Sequence, residues 1–136
     1  MNRPLRLPAV VRAAIARHAQ QDAPRECCGF LLGARGKVIF ALAATNTSAT
    51  PLTRYRVDPR EHIALQRILR RLTPPLTIVG VYHSHPRGPA APSSSDVKEA
   101  YVREWAHVIV DLSGRSPGVS AWFIRNGRAL RRPLAR

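Results

Sequence analysis

The feature that most constrains the fold is an apolar, β-branched run at residues 76–84, LTIVGVYHS. Runs of this kind are typical of a strand that is buried on both faces, and such a strand needs cover on each side of its sheet. The chain has 136 residues, which is enough for one α/β domain with a real core and too short for two ordinary domains. We therefore expect residues 1–136 to form a single α/β domain.

Shorter apolar segments predict the other strands of a mixed central sheet. CGFLLG and KVIFALAAT predict a hairpin that is joined by the turn ARGK, and AHVIVDL and VSAWFIR predict two more strands joined by SGRSPG. The NGR that follows predicts a tight turn into a final short strand. Between the hairpin and the next helix, the polar loop NTSATPLT leads into RYRV, which predicts a short extended segment.

About three helices are predicted to flank this sheet, at residues 8–21, from Asp58 onwards and from about Ser94. The second is the best marked, because in DPREHIALQRILRRL Asp58 suits the N-cap, Pro59 the first helical position and Glu61 the capping-box partner. The predicted inward-facing side chains of the three helices are, in order, Val11, Ala14, Ile15 and His18; Leu65, Ile68, Leu69 and Leu72; and Val97, Ala100 and Tyr101.

The net charge of +14 comes almost wholly from arginine, since Lys37 and Lys98 are the only lysines. A field that positive favours acidic partners and speeds association with them. The arginines are scattered from Arg3 to Arg136, without a dense basic arm or a stripe interleaved with aromatic residues. This distribution disfavours a nucleic-acid footprint and is typical of a solvated, arginine-rich surface.

The two cysteines, Cys27 and Cys28, are adjacent in the sequence. Neighbours of this kind almost never pair with each other, so we expect no disulfide framework and a reducing compartment. The start of the chain lacks the apolar core of a signal peptide, and no apolar run reaches the roughly 18 residues of a membrane span. The sequence therefore predicts a cytoplasmic protein that does not cross a membrane.

Two histidines end the predicted central strand. His83 and His85 are two residues apart, so both imidazoles leave the strand on the same side, about 6.6 Å apart at the backbone. Asp96 follows in the first turn of the next predicted helix, where the helix N-terminus favours the ionised carboxylate that binds metals. Two histidines and one carboxylate would leave the fourth position of a tetrahedral zinc site for water, as in catalytic sites.

A purely structural interpretation of the same residues competes with the metal site. A histidine pair can simply end a strand, and Ser93-x-x-Asp96 matches a capping box in which the aspartate has an ordinary role. Glu26 bears on the choice, because a strand next to the one with the histidines could bring its carboxylate to a zinc-bound water. Taken alone, however, a glutamate before a strand is usually solvated.

Together these motifs resemble the JAMM/MPN (Mov34/PAD-1-like) zinc metalloprotease family. The match consists of a P-x-E-x-C-G context, the sequence H-S-H-P and then S-x-x-D in the family's order and spacing, at Pro24, Glu26, Cys28 and Gly29, at His83 to Pro86, and at Ser93 and Asp96. The predicted order of strands and helices also agrees over most of the chain. The resemblance implies a single MPN (JAB)-like domain of the small, stand-alone bacterial type.

The resemblance also implies a role for each residue of the motif. His83, His85 and Asp96 would bind Zn²⁺, Glu26 would be the general base and then the acid, and Ser93 would hydrogen-bond the scissile carbonyl or its oxyanion. Small bacterial members resemble processors of ubiquitin-like sulfur carrier proteins. They cut an amide bond after a C-terminal Gly-Gly, to trim a tail or to release an amino acid, as in a carrier-dependent route to cysteine.

Other functions are less well supported by the sequence. A non-catalytic MPN interaction module would not need the complete set of ligands, and a nucleic-acid-associated factor of the same fold would be expected to concentrate its basic residues. The motifs H-E-x-x-H and P-C-x-x-C are absent, as is a glycine-rich phosphate loop. His18, His62 and His107 stand alone and are interpreted as surface or core residues. The sequence leaves the oligomeric state open.

Overall fold

The computed structural model describes residues 3–136. The helices are α1 Ala9–Asp22, α2 Pro59–Leu69 and α3 Ser94–Glu99. The strands are β1 Leu5–Arg6, β2 Cys28–Ala34, β3 Lys37–Ala44, β4 Thr77–His85, β5 Ala106–Asp111, β6 Gly118–Arg125, β7 Arg128–Arg132 and β8 Leu134–Ala135. Within this part of the chain, all the strands join one sheet in the order β7-β6-β5-β4-β2-β3-β1-β8. The sheet is mixed, because β4 is antiparallel to β2 and parallel to β5, and the predicted α/β class with three helices is confirmed.

The two ends of this sheet lie next to each other. β7 and β8 are first and last in the strand order, yet only Pro133 separates them along the chain. The carbonyl oxygen of Pro133 accepts a hydrogen bond from Leu5 N at 2.8 Å, which ties β1 to this junction. The sheet therefore curls, and a core forms on one face from α1, β1 and the central strands.

Helix α1 packs into that core by a narrow stripe. Val11, Ile15 and Ala19 are buried and follow a spacing of four residues, which places them along one line of the helix surface. Val11 and Ile15 are buried as predicted. Ala14 is exposed, and Ala19, which was not predicted to face inward, is buried instead. His18 is half-buried.

Gly29 of β2 leaves room for the ring of Tyr82, its partner on β4. A Cβ at Gly29 would lie 2.2 Å from the ring of Tyr82, so any other residue would displace this buried tyrosine. The Tyr82 hydroxyl lies 2.8 Å from His18 Nδ1 on α1. The glycine that follows Cys28 in the family motif therefore has a packing role that is independent of chemistry.

The opposite face of the sheet carries α2 and a second, smaller core. Leu65 and Leu69 of α2 pack with Phe30, Leu32, Val81 and Trp105. Because β4 is covered on both faces, the prediction of a doubly buried central strand is confirmed.

Besides Ala14, three more predicted inward positions are exposed. Helix α2 ends at Leu69, so Leu72 lies beyond it and is 42% exposed, and Ile68 lies outside the line of Leu65 and Leu69 and is 58% exposed. Tyr101 follows the end of α3 and is 65% exposed, although its ring packs edge-on against Trp105. Among residues 3–136, no helix has both the length and the apolarity that spanning a membrane requires.

Candidate metal centre

The imidazoles at the end of β4 meet a carboxylate at the start of α3. His83 Nε2 and His85 Nε2 are 3.0 Å apart, and Asp96 Oδ2 lies 3.1 Å from each of them. All three residues are buried, with His83 fully enclosed. Three donor atoms of three side chains therefore point at one another inside the protein.

This arrangement fits a bound zinc ion. Ligand atoms at about 2.0–2.1 Å from a tetrahedral Zn²⁺ are roughly 3.3 Å from each other, close to the separations seen here. The neutral Nε2 atoms of His83 and His85 and the ionised oxygen of Asp96 are also the donor types that zinc accepts. The chemistry of the donor set and its spacing are therefore both compatible with Zn²⁺.

The two histidine rings are oriented in different ways, His85 by a hydrogen bond and His83 by stacking. The Nδ1 of His85 is 2.8 Å from the carbonyl oxygen of Pro89, to which it donates, and in the neutral ring this bond makes Nε2 the nitrogen that can bind a metal. The ring of His83 instead stacks on Tyr55, with centroids 4.2 Å apart. Tyr55 is not part of the sequence motif. Its contact with His83 could not be predicted, because it depends on the path of the loop before α2.

Asp96 is oriented by a complete capping box at α3. Its backbone N–H donates to Ser93 Oγ at 3.1 Å, and Ser93 N donates to Asp96 Oδ2 at 2.8 Å. Burial raises the pKa of Asp96, but hydrogen bonds from His83 and His85 outweigh burial and hold that pKa well below its usual range. The structural and the metal-binding interpretations of S-x-x-D are thus compatible, since one oxygen serves both.

Glu26 lies beside this cluster, directly before Cys27 and β2. Its carboxylate and the ring nitrogens of His83 and His85 are all within 4.8 Å of one another. The side chain is 6% exposed, and its Oε1 has no hydrogen-bond partner among residues 3–136. Burial raises the pKa of Glu26 to about 7, while His85 lowers it and Asp96 raises it. Glu26 is thereby suited to exchange a proton near neutral pH.

Two cavities open beside the cluster. A cleft of about 390 Å³ has Glu26, His85 and Ser93 in its wall, together with Leu52 and Thr53. A second cavity, of about 600 Å³, lies on the α2 side and is lined chiefly by apolar and aromatic residues, among them Tyr55, Val57, Val81, Tyr101 and Trp105. The five side chains expected at the site, Glu26, His83, His85, Ser93 and Asp96, are therefore assembled in one place.

The neighbouring Ser84 and cysteines support the site from within the core. Ser84 Oγ accepts a hydrogen bond from Cys27 N at 2.8 Å, which joins β4 to the start of β2 and turns Ser84 away from the histidines. Cys27 and Cys28 are buried and unpaired, as expected. Burial raises their pKa values to about 11 and about 12, so both stay as thiols near neutral pH.

The isolated histidines behave differently from the clustered pair. His107 on β5 is 4% exposed, and neither of its ring nitrogens has a hydrogen-bond partner within residues 3–136. Burial, with a further contribution from His83, lowers the pKa of His107 to about 4. His107 and the half-buried His62 line the larger cavity, which the sequence motif does not indicate.

With this fold and this cluster of side chains, the chain is a JAB-type α/β domain with a candidate metal centre. Residues 8–125 match the family described as prokaryotic homologs of the JAB domain, and the protein belongs to this family. The resemblance to JAMM/MPN proteins is therefore confirmed at the level of the family.

Three similar proteins are named for related activities. The chain is 40% identical over 112 residues to a probable TtuB-protein conjugate cleaving protease of Thermus thermophilus, covering 82% of this chain and 70% of that protein. It is 32% identical to the desampylase of Haloferax volcanii, covering 82% and 83%. It is 35% identical to the CysO-cysteine peptidase of Mycobacterium tuberculosis, covering 79% and 75%.

Solved structures show the same fold. A Desulfitobacterium hafniense protein superimposes with a TM-score of 0.84 at 25% identity, over 96% of this chain and 90% of that one. A JAB1/MPN domain protein from Archaeoglobus fulgidus gives a TM-score of 0.55 at 16% identity, over 90% of each chain. The second likeness establishes the fold alone.

Proposed function

We propose that this protein is a zinc-dependent peptidase or isopeptidase that cuts the amide bond after the C-terminal Gly-Gly of a ubiquitin-like sulfur carrier protein. The observation that carries the proposal is the convergence of His83 Nε2, His85 Nε2 and Asp96 Oδ2 at 3.0–3.1 Å beside the buried carboxylate of Glu26. Relatives named for cleaving TtuB conjugates and CysO-cysteine support the class of substrate.

His83, His85 and Asp96 are proposed as the zinc ligands. When bound, Zn²⁺ would polarise the scissile carbonyl and lower the pKa of water from its bulk value towards about 7. The three side chains are already held in place by Pro89, by Tyr55 and by the α3 capping box, so little reorganisation accompanies binding.

Glu26 is proposed as the proton carrier. Because burial raises its pKa to about 7, the carboxylate can accept the proton of the attacking water near neutral pH and later return it to the leaving amine. Its unpartnered Oε1 leaves an acceptor available for this step. The net result is hydrolysis of one amide, with the proton returned and Glu26 unchanged.

Ser93 is proposed to stabilise the oxyanion. Its Oγ accepts a hydrogen bond from Asp96 N, so the hydroxyl hydrogen is free to donate to a ligand in the cleft. A donor placed where negative charge develops acts mainly in the transition state. Ser93 would therefore affect kcat more than KM.

The larger cavity is proposed to receive the carrier's tail. Tyr55, Arg56 and Val57 line it, and Tyr55 also stacks on His83, so a tail lying there would lead to the proposed zinc ligands. A Gly-Gly end has no side chains and would pass through a narrow approach. The net charge of +14 favours an acidic carrier.

The proposal extends to domain organisation and location. We propose that residues 1–136 act as one catalytic domain. The two unpaired cysteines are compatible with a reducing compartment, and we place the activity in the cytoplasm.

The test is mass spectrometry of a ubiquitin-like sulfur carrier that is extended beyond its Gly-Gly, after incubation with the zinc-loaded protein. The wild type should trim the carrier to Gly-Gly. Glu26→Gln should bind one zinc per chain and leave the carrier intact, because the amide cannot take up the proton. Zinc binding without trimming would reject the carrier as substrate, and a wild type that binds no zinc would reject the metal centre.

A further inference from the structure

The loop between β3 and α2 contacts both cavities beside the candidate metal centre. Leu52 and Thr53 line the smaller cleft, and Tyr55 to Val57 line the larger cavity. We call residues 46–57 the cleft loop. Its ends are joined by a β-bridge between Asn46 and Val57.

The side chain of Asn46 makes four hydrogen bonds. Its Nδ2 donates to the carbonyl oxygens of Glu26 at 2.9 Å and Arg54 at 3.0 Å. Its Oδ1 accepts from the backbone N–H groups of Ser48 and Arg56, each at 3.0 Å. An asparagine side chain has two N–H donors and an oxygen with two lone pairs, so its full bonding capacity is used.

The orientation of this amide is fixed by its partners. Both groups around Nδ2 are carbonyl oxygens, and both groups around Oδ1 are N–H donors, so a flipped amide would lose all four bonds. Aspartate has nearly the same shape but no donors, and it would place a negative oxygen against the carbonyl of Glu26. The donor half of Asn46 is therefore the part that joins the loop to Glu26.

Glu26 is held to the cleft loop through a second bond. Its backbone N–H donates to the carbonyl oxygen of Pro51 at 2.8 Å. The N–H and the carbonyl of Glu26 are thus both bonded to one loop, and the loop's own shape depends on Asn46. A displacement of the loop would move the backbone that carries the Glu26 carboxylate.

We propose that Asn46 is a positioning residue for the reaction, which couples the placement of Glu26 to the conformation of the cleft loop. The inference rests on the proposed function for its catalytic consequence. A loop ordered by substrate in the two cavities would, through Asn46, also hold Glu26 in its working position. Errors of about 1 Å in the position of a catalytic group can lower a rate roughly 10²-fold.

A simple loop-stabilising role makes a different prediction. If Asn46 only stiffened the loop, its loss would weaken substrate binding and raise KM, while kcat at saturation would be preserved. If Asn46 positions Glu26, kcat falls as well, because the misplaced base persists when substrate is bound. The ratio of the two effects separates the alternatives.

The experiment compares Asn46→Asp with a matched control, Thr47→Val. The control removes one bond from the same turn, that of Thr47 Oγ1 to Arg56 O at 3.1 Å, and leaves the Thr47 N–H bond to that oxygen and all four bonds of Asn46. On the extended carrier, we expect Asn46→Asp to lower kcat by about 10- to 100-fold. Thr47→Val should change kcat less than about twofold, and both variants should bind one zinc per chain.

Amide hydrogen exchange provides a readout that does not need activity. The zinc-loaded protein, at 15.1 kDa, is small enough for residue-level NMR. In Asn46→Asp the amide of Glu26 should exchange at least about tenfold faster than in the wild type, whereas in Thr47→Val it should keep its protection.

Either measurement can overturn the proposal. A rise in KM with kcat unchanged would make Asn46 a loop-stabilising residue only, and unchanged exchange at the Glu26 amide would remove the coupling itself. A wild type that cleaves no carrier would reject the proposed function instead. Hydrogen exchange at Glu26 would then decide alone whether the loop and Glu26 are coupled.

Discussion

The starts of α2 and α3 offer the same kind of helix cap and use it differently. At α2, Asp58 Oδ1 accepts from Arg60 N at 2.9 Å, but the acidic residue at the third helical position, Glu61, does not return to the cap. Its two carboxylate oxygens bind Thr45 instead, at the backbone N–H (2.7 Å) and at the hydroxyl (3.0 Å). The capping box predicted there is therefore wrong, although the N-cap is confirmed.

At α3 the box is complete, and its acidic residue also faces the histidines. Ser93 and Asp96 bond reciprocally, and Asp96 Oδ2 is also 3.1 Å from the Nε2 atoms of His83 and His85. The shorter side chain of aspartate keeps this oxygen close to the helix end, whereas the longer Glu61 reaches across to the end of β3. The carboxylate at the third helical position therefore decides what the cap does. At α3 it orients a candidate metal ligand, and at α2 it ties the helix to the end of β3.

The largest effect should come from removing the charge of Asp96. Asp96→Asn retains an oxygen that can cap the helix but is a much poorer zinc ligand. Removing a residue that only hydrogen-bonds to a metal ligand already lowers metal affinity by about 10- to 100-fold. Removing a ligand itself should lower the zinc affinity by more than this. Zinc titration and activity on the carrier should fall together, while Glu61→Gln, the matched change at α2, should leave zinc affinity unchanged. Equal zinc affinity in wild type and Asp96→Asn would leave Asp96 with a capping role alone.

The second effect concerns the N-cap of α3. Ser93→Ala removes the acceptor for Asp96 N, which should destabilise the protein by about 1 kcal/mol. It also removes the proposed oxyanion donor, so kcat should fall by about 10²–10³-fold with a smaller change in KM. Steady-state kinetics below the unfolding temperature would measure this. A drop in stability without a drop in kcat would assign Ser93 to the cap only.

Changing the N-cap of α2 should affect stability alone. Asp58→Ala removes the bond from Arg60 N and should cost about 1 kcal/mol, similar to the capping part of the Ser93 effect. Urea unfolding with zinc removed by a chelator would give this value without a contribution from metal binding. Because Asp58 does not touch the proposed site, kcat should stay within about twofold of the wild type. A much larger loss of activity would mean that α2 itself shapes the site.

Three of the proposed site residues could be predicted from the sequence because they lie close together along the chain. His83 and His85 share one strand, and Asp96 lies in the first turn of the next helix, so strand alternation and a cap place three donors near each other. Glu26 needed the pairing of β2 with β4, which sets Cys28 opposite His83. The sequence indicated such a neighbouring strand only as a possibility, and the resemblance to the JAMM motif implied the role of Glu26.

The residues that the sequence did not reveal depend on the path of an irregular loop. Asn46 and Tyr55 reach Glu26 and His83 through turns that have no hydrophobic period, and their partners are distant along the chain. The helix faces were misjudged for a related reason, since α1 and α2 bury a single line of residues four apart, narrower than the stripe that periodicity predicts. The closure of the sheet at Pro133 likewise depends on β1 and β8, two strands of two residues each, which are too short to give a pattern.

The smallest effect should come from Glu61, the counterpart of Asp96 at α2. Glu61→Gln keeps an oxygen for Thr45 N but loses the negative charge near the helix N-terminus, a change of about 0.3–1 kcal/mol. Unfolding in chelator should show this loss, with kcat and zinc affinity as in the wild type. A reduced kcat would instead mean that the bond to Thr45, next to Asn46, helps to hold the cleft loop. In that case the third-position carboxylates of both helices would serve the site, one as a ligand and the other through the loop.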